Sequence, residues 1–218
     1  MYKLISVVWK RPGLSPDEFW DLWSGEHAAQ VLAQPRVKHY RINAALARSG
    51  REPAFDGVAE IWVETLDDLR ALQMARLAGP LAESRARVTD AARTLTLVTR
   101  ERVVVPEPAP GTAAVKLCEV LRRRPDLSFE EFDRHWIEVH APLVTRVKGL
   151  VGYVQHPAIP GSDPPPSADG HVMLWFDTLE NARLSARSAE GEATIADAAE
   201  FLAGAGVERV AVRERRFR

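Results

Sequence analysis

Residues 11–27 read RPGLSPDEFWDLWSGEH, and residues 124–143 read RPDLSFEEFDRHWIEVHAPL. Each stretch has an Arg-Pro turn, then Ser-x-x-Glu, then Phe, Trp and His at four-residue steps. In Ser-x-x-Glu the Ser hydroxyl can accept from the third helical N–H, while the Glu carboxylate accepts from the Ser N–H. Both stretches therefore predict an amphipathic helix, which begins after Ser15 in one and after Ser128 in the other.

The two stretches belong to a longer internal repeat. Pro12 and Pro125 are 125 − 12 = 113 positions apart, and the same offset pairs residues along almost the whole chain. The identical pairs include Lys3 and Lys116, Trp23 and Trp136, His27 and His140, Tyr40 and Tyr153, and Trp62 and Trp175. One offset held over such a length predicts a tandem duplication.

A proline-rich segment, PEPAPG at residues 106–111, lies between the copies. Proline disfavours helix and lacks the N–H that a sheet needs, so this segment is expected to be an extended, stiff linker. We predict a first unit over residues 1–106, a linker over residues 107–112 and a second unit over residues 113–218.

Each unit has the element order βαββαβ, which is typical of a ferredoxin-like fold. Helices cover one face of such a sheet and leave the other apolar face to be buried elsewhere. Two units in one chain can cover each other, sheet against sheet. We therefore predict an α+β protein built as an intramolecular dimeric α/β barrel, a pseudo-dimer that could also form a further homodimer.

The composition indicates an ordinary globular protein, with 46% hydrophobic and 27% charged residues. A net charge of −1 gives no reason to expect nucleic acid or an anionic membrane as a partner. The apolar run at residues 1–9 is too short for a membrane span or a signal-peptide core. Cys118 is the single cysteine, so no disulfide can form within the chain, and we expect a cytoplasmic protein.

Four segments resemble the EthD family of dimeric α/β-barrel proteins. They are KRPGLSPDEFW at residues 10–20, RRPDLSFEEFDRHWIEVHAPLV at 123–144, DGVAEIWVETLDDL at 56–69 and DGHVMLWFDTLENA at 169–182. The wider superfamily includes cofactor-free polyketide cyclases, monooxygenases, lactone isomerases, decarboxylases and haem-handling proteins. The resemblance therefore implies small-molecule chemistry without choosing the reaction.

His27 and His140 are the candidate general acids or bases. Four helical residues advance about 400°, so Phe, Trp and His at i, i+4 and i+8 share one face, which should look at the sheet. A helix C-terminus favours a charged imidazole, so we expect the pKa of each His to move towards the physiological range. The alternative is a packed His that binds a backbone carbonyl.

Further side chains complete the predicted site. Tyr40 and Tyr153 could polarise a substrate carbonyl, or simply pack in the core. The resemblance implies an acidic residue at Glu60, which suggests a His27/Glu60 pair in the first unit. In the second unit, the pair would be His140/His156 or His140/His171. The predicted substrate-binding residues are Phe19, Trp23, Trp62, Phe132, Trp136, His156, His171 and Trp175.

We expect neither metal nor cofactor, because the chain has no H-x-x-x-H spacing, cysteine cluster or nucleotide-binding motif. The leading hypothesis is a cofactor-independent enzyme that moves protons on a hydrophobic aromatic or polyketide-like substrate, in a cyclisation, dehydration, isomerisation or decarboxylation. A cofactor-free monooxygenase and a non-catalytic ligand-binding protein are the alternatives. A Soret band on haem titration would instead favour a haem protein.

Overall fold

A computed structural model describes residues 1–46, 52–163, 165–204 and 208–217. The chain is an α+β protein with two compact units. The first comprises residues 1–100, 161–167 and 212–218, and the second comprises residues 101–160 and 168–211. The boundaries drawn from the repeat, at residues 106 and 113, stay a prediction. None of the helices formed by the described residues is long and apolar enough to cross a membrane.

The first unit is an antiparallel sheet with helices. Its strands are β1 (Tyr2–Val8), β2 (His39–Ala45), β3 (Gly57–Val63) and β4 (Leu95–Thr99), and residues 212–217 of β9 (Glu208–Phe217) pair with β2. The strand order is β4-β1-β3-β2-β9. The helices are α1 (Pro16–Leu22), α2 (Ala28–Leu32), α3 (Leu66–Ala75) and α4 (Pro80–Val88).

The second unit has the same kinds of element. Its strands are β5 (Arg102–Val105), β6 (Val115–Leu121), β7 (Leu150–Pro157), β8 (Gly170–Phe176) and the first residues of β9, in the order β9-β6-β8-β7-β5. The helices are α5 (Phe129–His135), α6 (Ala141–Val144), α7 (Leu179–Leu184) and α8 (Ala189–Phe201). β4 ends at Thr99, and the next strand along the chain, β5, begins at Arg102.

Both predicted helix starts are confirmed. Ser15 Oγ accepts from the Glu18 N–H at 3.3 Å, and the Glu18 carboxylate accepts from the Ser15 N–H at 2.8 Å. Ser128 and Glu131 make the same two hydrogen bonds, at 3.2 and 2.8 Å. These reciprocal bonds satisfy backbone donors that the first helical turn leaves without a partner.

Both of these helices continue past their histidines, α2 to Leu32 and α6 to Val144. A π-helical turn, Trp23–His27, joins α1 to α2, and Trp136–His140 joins α5 to α6. Pro142 lies inside α6. Proline is tolerated in the first turn of a helix because its missing N–H would have no regular partner there. In each unit the Trp opens the wide turn and the His closes it.

Candidate active site

A cavity of about 480 Å³ lies in the second unit, between the helices and the sheet. Most of its wall is apolar and comes from β6, β7, β8, α6 and α8. Its polar lining residues are Glu119, His140, Tyr153, Ser185, Thr194 and Arg209. A largely apolar cavity of this size with a few convergent polar groups is what a small-molecule site requires.

His140 has a fixed hydrogen-bonding role in this cavity. Its Nδ1 lies 2.8 Å from Asp197 Oδ2, and the other Asp197 oxygen lies 3.0 Å from His135 Nε2. A carboxylate only accepts, so Nδ1 carries the hydrogen and Nε2 of the neutral ring keeps a lone pair. Burial lowers the pKa of His140, although Asp197 acts in the opposite direction. The His140 ring can therefore serve as a base.

The neighbours of Tyr153 fix its hydroxyl as a hydrogen-bond donor towards the cavity. Arg102 Nε donates to Gln155 Oε1 at 2.8 Å, which turns the Gln155 amide NH₂ towards the Tyr153 hydroxyl at 2.7 Å. Trp136 Nε1 donates to the same hydroxyl at 3.2 Å. Since arginine and indole nitrogens can only donate, Tyr153 Oη accepts twice and its own hydrogen remains to be donated. Burial raises the pKa of Tyr153, so the phenol stays protonated.

A charged pair forms another part of the wall. Arg209 Nε makes an ion pair with the buried Glu119 carboxylate, and this neighbour raises the pKa of Arg209. Glu119 is also one of the charges that acts on His140, whose pKa it raises. The cavity therefore has a charged end as well as its His140 and Tyr153 groups.

The corresponding space in the first unit is nearly filled, with about 20 Å³ remaining. His27 Nδ1 lies 2.9 Å from Ser84 Oγ, which itself donates to the Leu81 carbonyl at 3.0 Å. Arg76 enters the space and donates from Nη2 to Ser6 Oγ at 3.0 Å. One water molecule needs roughly 10–15 Å³ of such space, so no substrate-sized molecule fits.

The EthD domain matches the chain twice, at residues 11–82 and 124–205. This protein belongs to the EthD family. The two matched segments together span more than half of its length and contain the Ser, Phe, Trp and His positions of both helices.

Several solved structures are similar in fold to this EthD protein. An anthrone oxidase-like protein is 10% identical over 99% of this chain and 92% of its own, with a TM-score of 0.70. A mutant chlorite dismutase from Candidatus Nitrospira defluvii is 12% identical over 97% and 91%, with a TM-score of 0.53. At such identities the likeness shows the fold alone. An EthD family protein from Bacillus halodurans C-125 is 28% identical over 46% of this chain and 98% of its own, with a TM-score of 0.39. A search of curated proteins finds no match.

Four of the predicted aromatic residues lie on the helix side of the sheet. Phe19 and Trp23 pack together in the first unit at 4.9 Å between ring centroids, and Phe132 and Trp136 do so in the second at 5.5 Å. Trp136 lines the large cavity. Tyr40 is buried and stacks on Phe217 at 5.3 Å.

The structure does not bring Glu60 to His27. In β3, Ala59 and Ile61 line the helix-side space with His27, so Glu60 and Trp62 point to the opposite face, because strand side chains alternate. There the Glu60 carboxylate accepts from Lys3 Nζ at 2.7 Å and from Asn43 Nδ2 at 2.9 Å. The His27/Glu60 pair is therefore wrong.

The same alternation corrects both pairs suggested for His140. Val172 and Leu174 of β8 line the cavity, which leaves His171 and Trp175 on the other face. His156 lies beside His171, with ring centroids 5.6 Å apart, and its Nε2 lies 3.8 Å from Glu101 Oε1. His156 and His171 are fully buried away from the cavity. Asp197 is the partner of His140 instead.

The expected rise in histidine pKa is wrong as well. Burial lowers the pKa of His27 to about 4, with Arg76 and Arg85 adding to the effect. The helix continues beyond each His, so no helix C-terminus lies there to favour an imidazolium. Desolvation of the charged ring decides the direction in both units.

Sequence reasoning missed Asp197, Glu119, Arg209 and Gln155. Glu119 could have been noticed in the sequence, because it is a charged residue in an apolar strand, at the position where the first unit has Ser6. Asp197 was harder to notice. It is a charged residue in an alanine-rich helix, at the position that corresponds to Ser84. Only the packing of α8 against the helix of His140 shows that Asp197 matters.

Proposed function

We propose that this EthD protein is a cofactor-independent enzyme that moves a proton at a carbon next to a carbonyl group. Its substrate would be a hydrophobic aromatic or polyketide-like ketone bound in the cavity of the second unit. One observation carries the proposal: a single apolar cavity holds an acceptor, His140 Nε2, and a donor, the Tyr153 hydroxyl, each with its role fixed by neighbours.

The chemistry follows from those roles. His140 Nε2 takes the proton from the carbon, and the electron pair of the broken C–H bond moves onto the carbonyl oxygen. The Tyr153 O–H donates a hydrogen bond to that oxygen as its negative charge grows. Asp197 stabilises the imidazolium that forms, and the reverse transfer returns the proton to the same or another carbon. Cyclisation, dehydration, isomerisation and decarboxylation can all use such an enolate.

Two support features hold the donor in place. Arg102 is fixed by an ion pair with Asp133 and lies 5.6 Å above the Trp136 ring. Its hydrogen bond orients Gln155, which in turn orients the Tyr153 hydroxyl. A donor that is already oriented needs little reorganisation during the reaction.

The tandem ferredoxin-like arrangement, its closure as an intramolecular α/β barrel and the cytoplasmic location remain proposals that rest on the sequence repeat and composition. The same holds for the absence of a cofactor. A cofactor-free monooxygenase would use the same enolate and then react it with dioxygen.

The test is deuterium exchange into 2-tetralone, an aromatic ketone with acidic α-hydrogens, followed by NMR in D₂O. Exchange above the buffer rate is expected for the wild-type protein, with a loss of about 10²–10⁴-fold in His140→Gln, the range typical of general base catalysis. His27→Gln is the matched control and should exchange at the wild-type rate. If His140→Gln also keeps that rate, the proposal fails. Oxygen uptake during the reaction would identify the monooxygenase.

A further inference from the structure

Two arginines without a carboxylate partner line the small space of the first unit. Arg76 and Arg85 both border it, together with His27 and Tyr40. Among the described residues, no carboxylate forms an ion pair with either guanidinium, and the one polar contact of the Arg76 head is Ser6. Two cations therefore border one small space, with Arg85 half-buried, and neither has an anionic partner among the described residues.

The surroundings make this arrangement costly. Burial lowers the pKa of Arg76 to about 10, and the charge of Arg85 lowers it further. Both arginines also lower the pKa of His27, so the His ring stays neutral and cannot balance them as an anion could. Charged groups inside proteins are normally paired, because removing an ion from water is expensive. Among the residues that the structure describes in the first unit, no carboxylate balances these two charges.

The second unit shows that the arginines are not required by the fold. At the 113-residue offset, Arg76 corresponds to Ala189 and Arg85 to Ala198. Ala198 lines the large cavity, where its short side chain leaves the space open. The two guanidiniums are thus a special feature of the first unit.

We propose that the first unit binds a small anion between Arg76 and Arg85. The remaining space of about 20 Å³ admits one atom of halide size, or the carboxylate end of a small organic acid. Ser6 borders the space, and because its hydroxyl accepts from Arg76, its own hydrogen remains to be donated to the anion. The Thr89 and Thr94 hydroxyls also border the space, but they donate to the Arg85 and Asp90 carbonyls. The site is independent of the reaction proposed for the second unit.

Thermal unfolding tests the site with sodium bromide, sodium acetate and sodium isethionate, whose large anion cannot enter, at equal ionic strength. We expect the wild-type Tm to be higher by about 2–4 °C in whichever small anion fits, relative to isethionate. A comparison of bromide with acetate shows whether the site binds a halide or a carboxylate. Arg85→Gln should abolish the difference, and the exposed Arg70→Gln variant should keep it. Arg85→Gln is the main variant because Arg76 contacts the core more closely.

A bromide-soaked crystal gives an answer that does not depend on folding stability. An anomalous peak between the Arg76 and Arg85 guanidiniums is expected in the wild-type protein and should be lost in Arg85→Gln. The proposal is overturned if the three salts give the same wild-type Tm, if Arg85→Gln keeps the shift, or if bromide raises the wild-type Tm without an anomalous peak at the site.

Discussion

The helix-side spaces of the two units differ far more than their sequences suggest. Both have the buried Trp at the start of a π turn and the His at its end, yet one space measures about 20 Å³ and the other about 480 Å³. The difference comes from side chains on the facing helices. Where the first unit has Arg76 and Arg85, the second has Ala189 and Ala198. The two units thus share a helix motif, and a few residues on the facing helices decide how much space remains beside it.

The partner of each histidine differs in the same way. Ser84 accepts from His27, whereas Asp197 accepts from His140. A hydroxyl supports only a neutral ring, but a carboxylate also stabilises the imidazolium that a base becomes. One substitution on a facing helix therefore separates a packed histidine from a chemically useful one.

The most disruptive test converts the second cavity into the first. Ala198→Arg places a guanidinium where the first unit has Arg85. We expect loss of 2-tetralone exchange to the buffer rate, because the long side chain occupies the space the ketone needs. Ala198→Ser adds little volume and should keep the activity. Full exchange in Ala198→Arg would show that the reaction takes place elsewhere.

Removal of one hydroxyl tests the donor. Tyr153→Phe keeps the ring but loses the O–H, so the exchange rate should fall about 10²–10³-fold, the usual effect of losing one donor to a developing oxyanion. Tyr40→Phe is the matched change in the first unit and should leave the rate unaltered. A wild-type exchange rate in Tyr153→Phe would show that the hydroxyl takes no part in the reaction and that Tyr153 only packs in the core.

Asp197→Asn probes the carboxylate through the pH profile. A base works when neutral, so exchange should fall as pH drops through the pKa of His140. Because Asp197 raises that pKa, the Asn variant should move this fall to lower pH and reduce the plateau rate about tenfold. Ser84→Ala in the first unit should change neither quantity. An unshifted profile would contradict the role of Asp197.

The smallest effect concerns the first unit and its stability. The pKa of His27 is about 4 in the folded state against 6.5 for the unfolded chain, so the unfolded state binds more protons between these values. Stability present above pH 6.5 should be lost as pH falls towards 4, by about 2 kcal/mol at pH 5. Urea unfolding at pH 7.5 and 5.0 measures this loss. It should disappear in His27→Gln, and the exposed His39→Gln variant should retain it.

The sequence by itself determined the helix starts, the EthD relationship and the residues of the aromatic face. Capping boxes and four-residue spacing act over a few neighbouring positions, so Ser15, Ser128, Trp23 and Trp136 could be placed without coordinates. The position of each histidine on the helix side of the sheet was also predictable, because one helix face must meet the sheet.

Only the tertiary structure decided which side chains meet. The face of the sheet that Glu60, His156 and His171 occupy depends on strand register, and a shift of one residue reverses it. Asp197 is 57 positions from His140, so no local pattern joins them. The empty volume beside Tyr153 is likewise a property of packing, because it depends on what every facing side chain leaves unfilled.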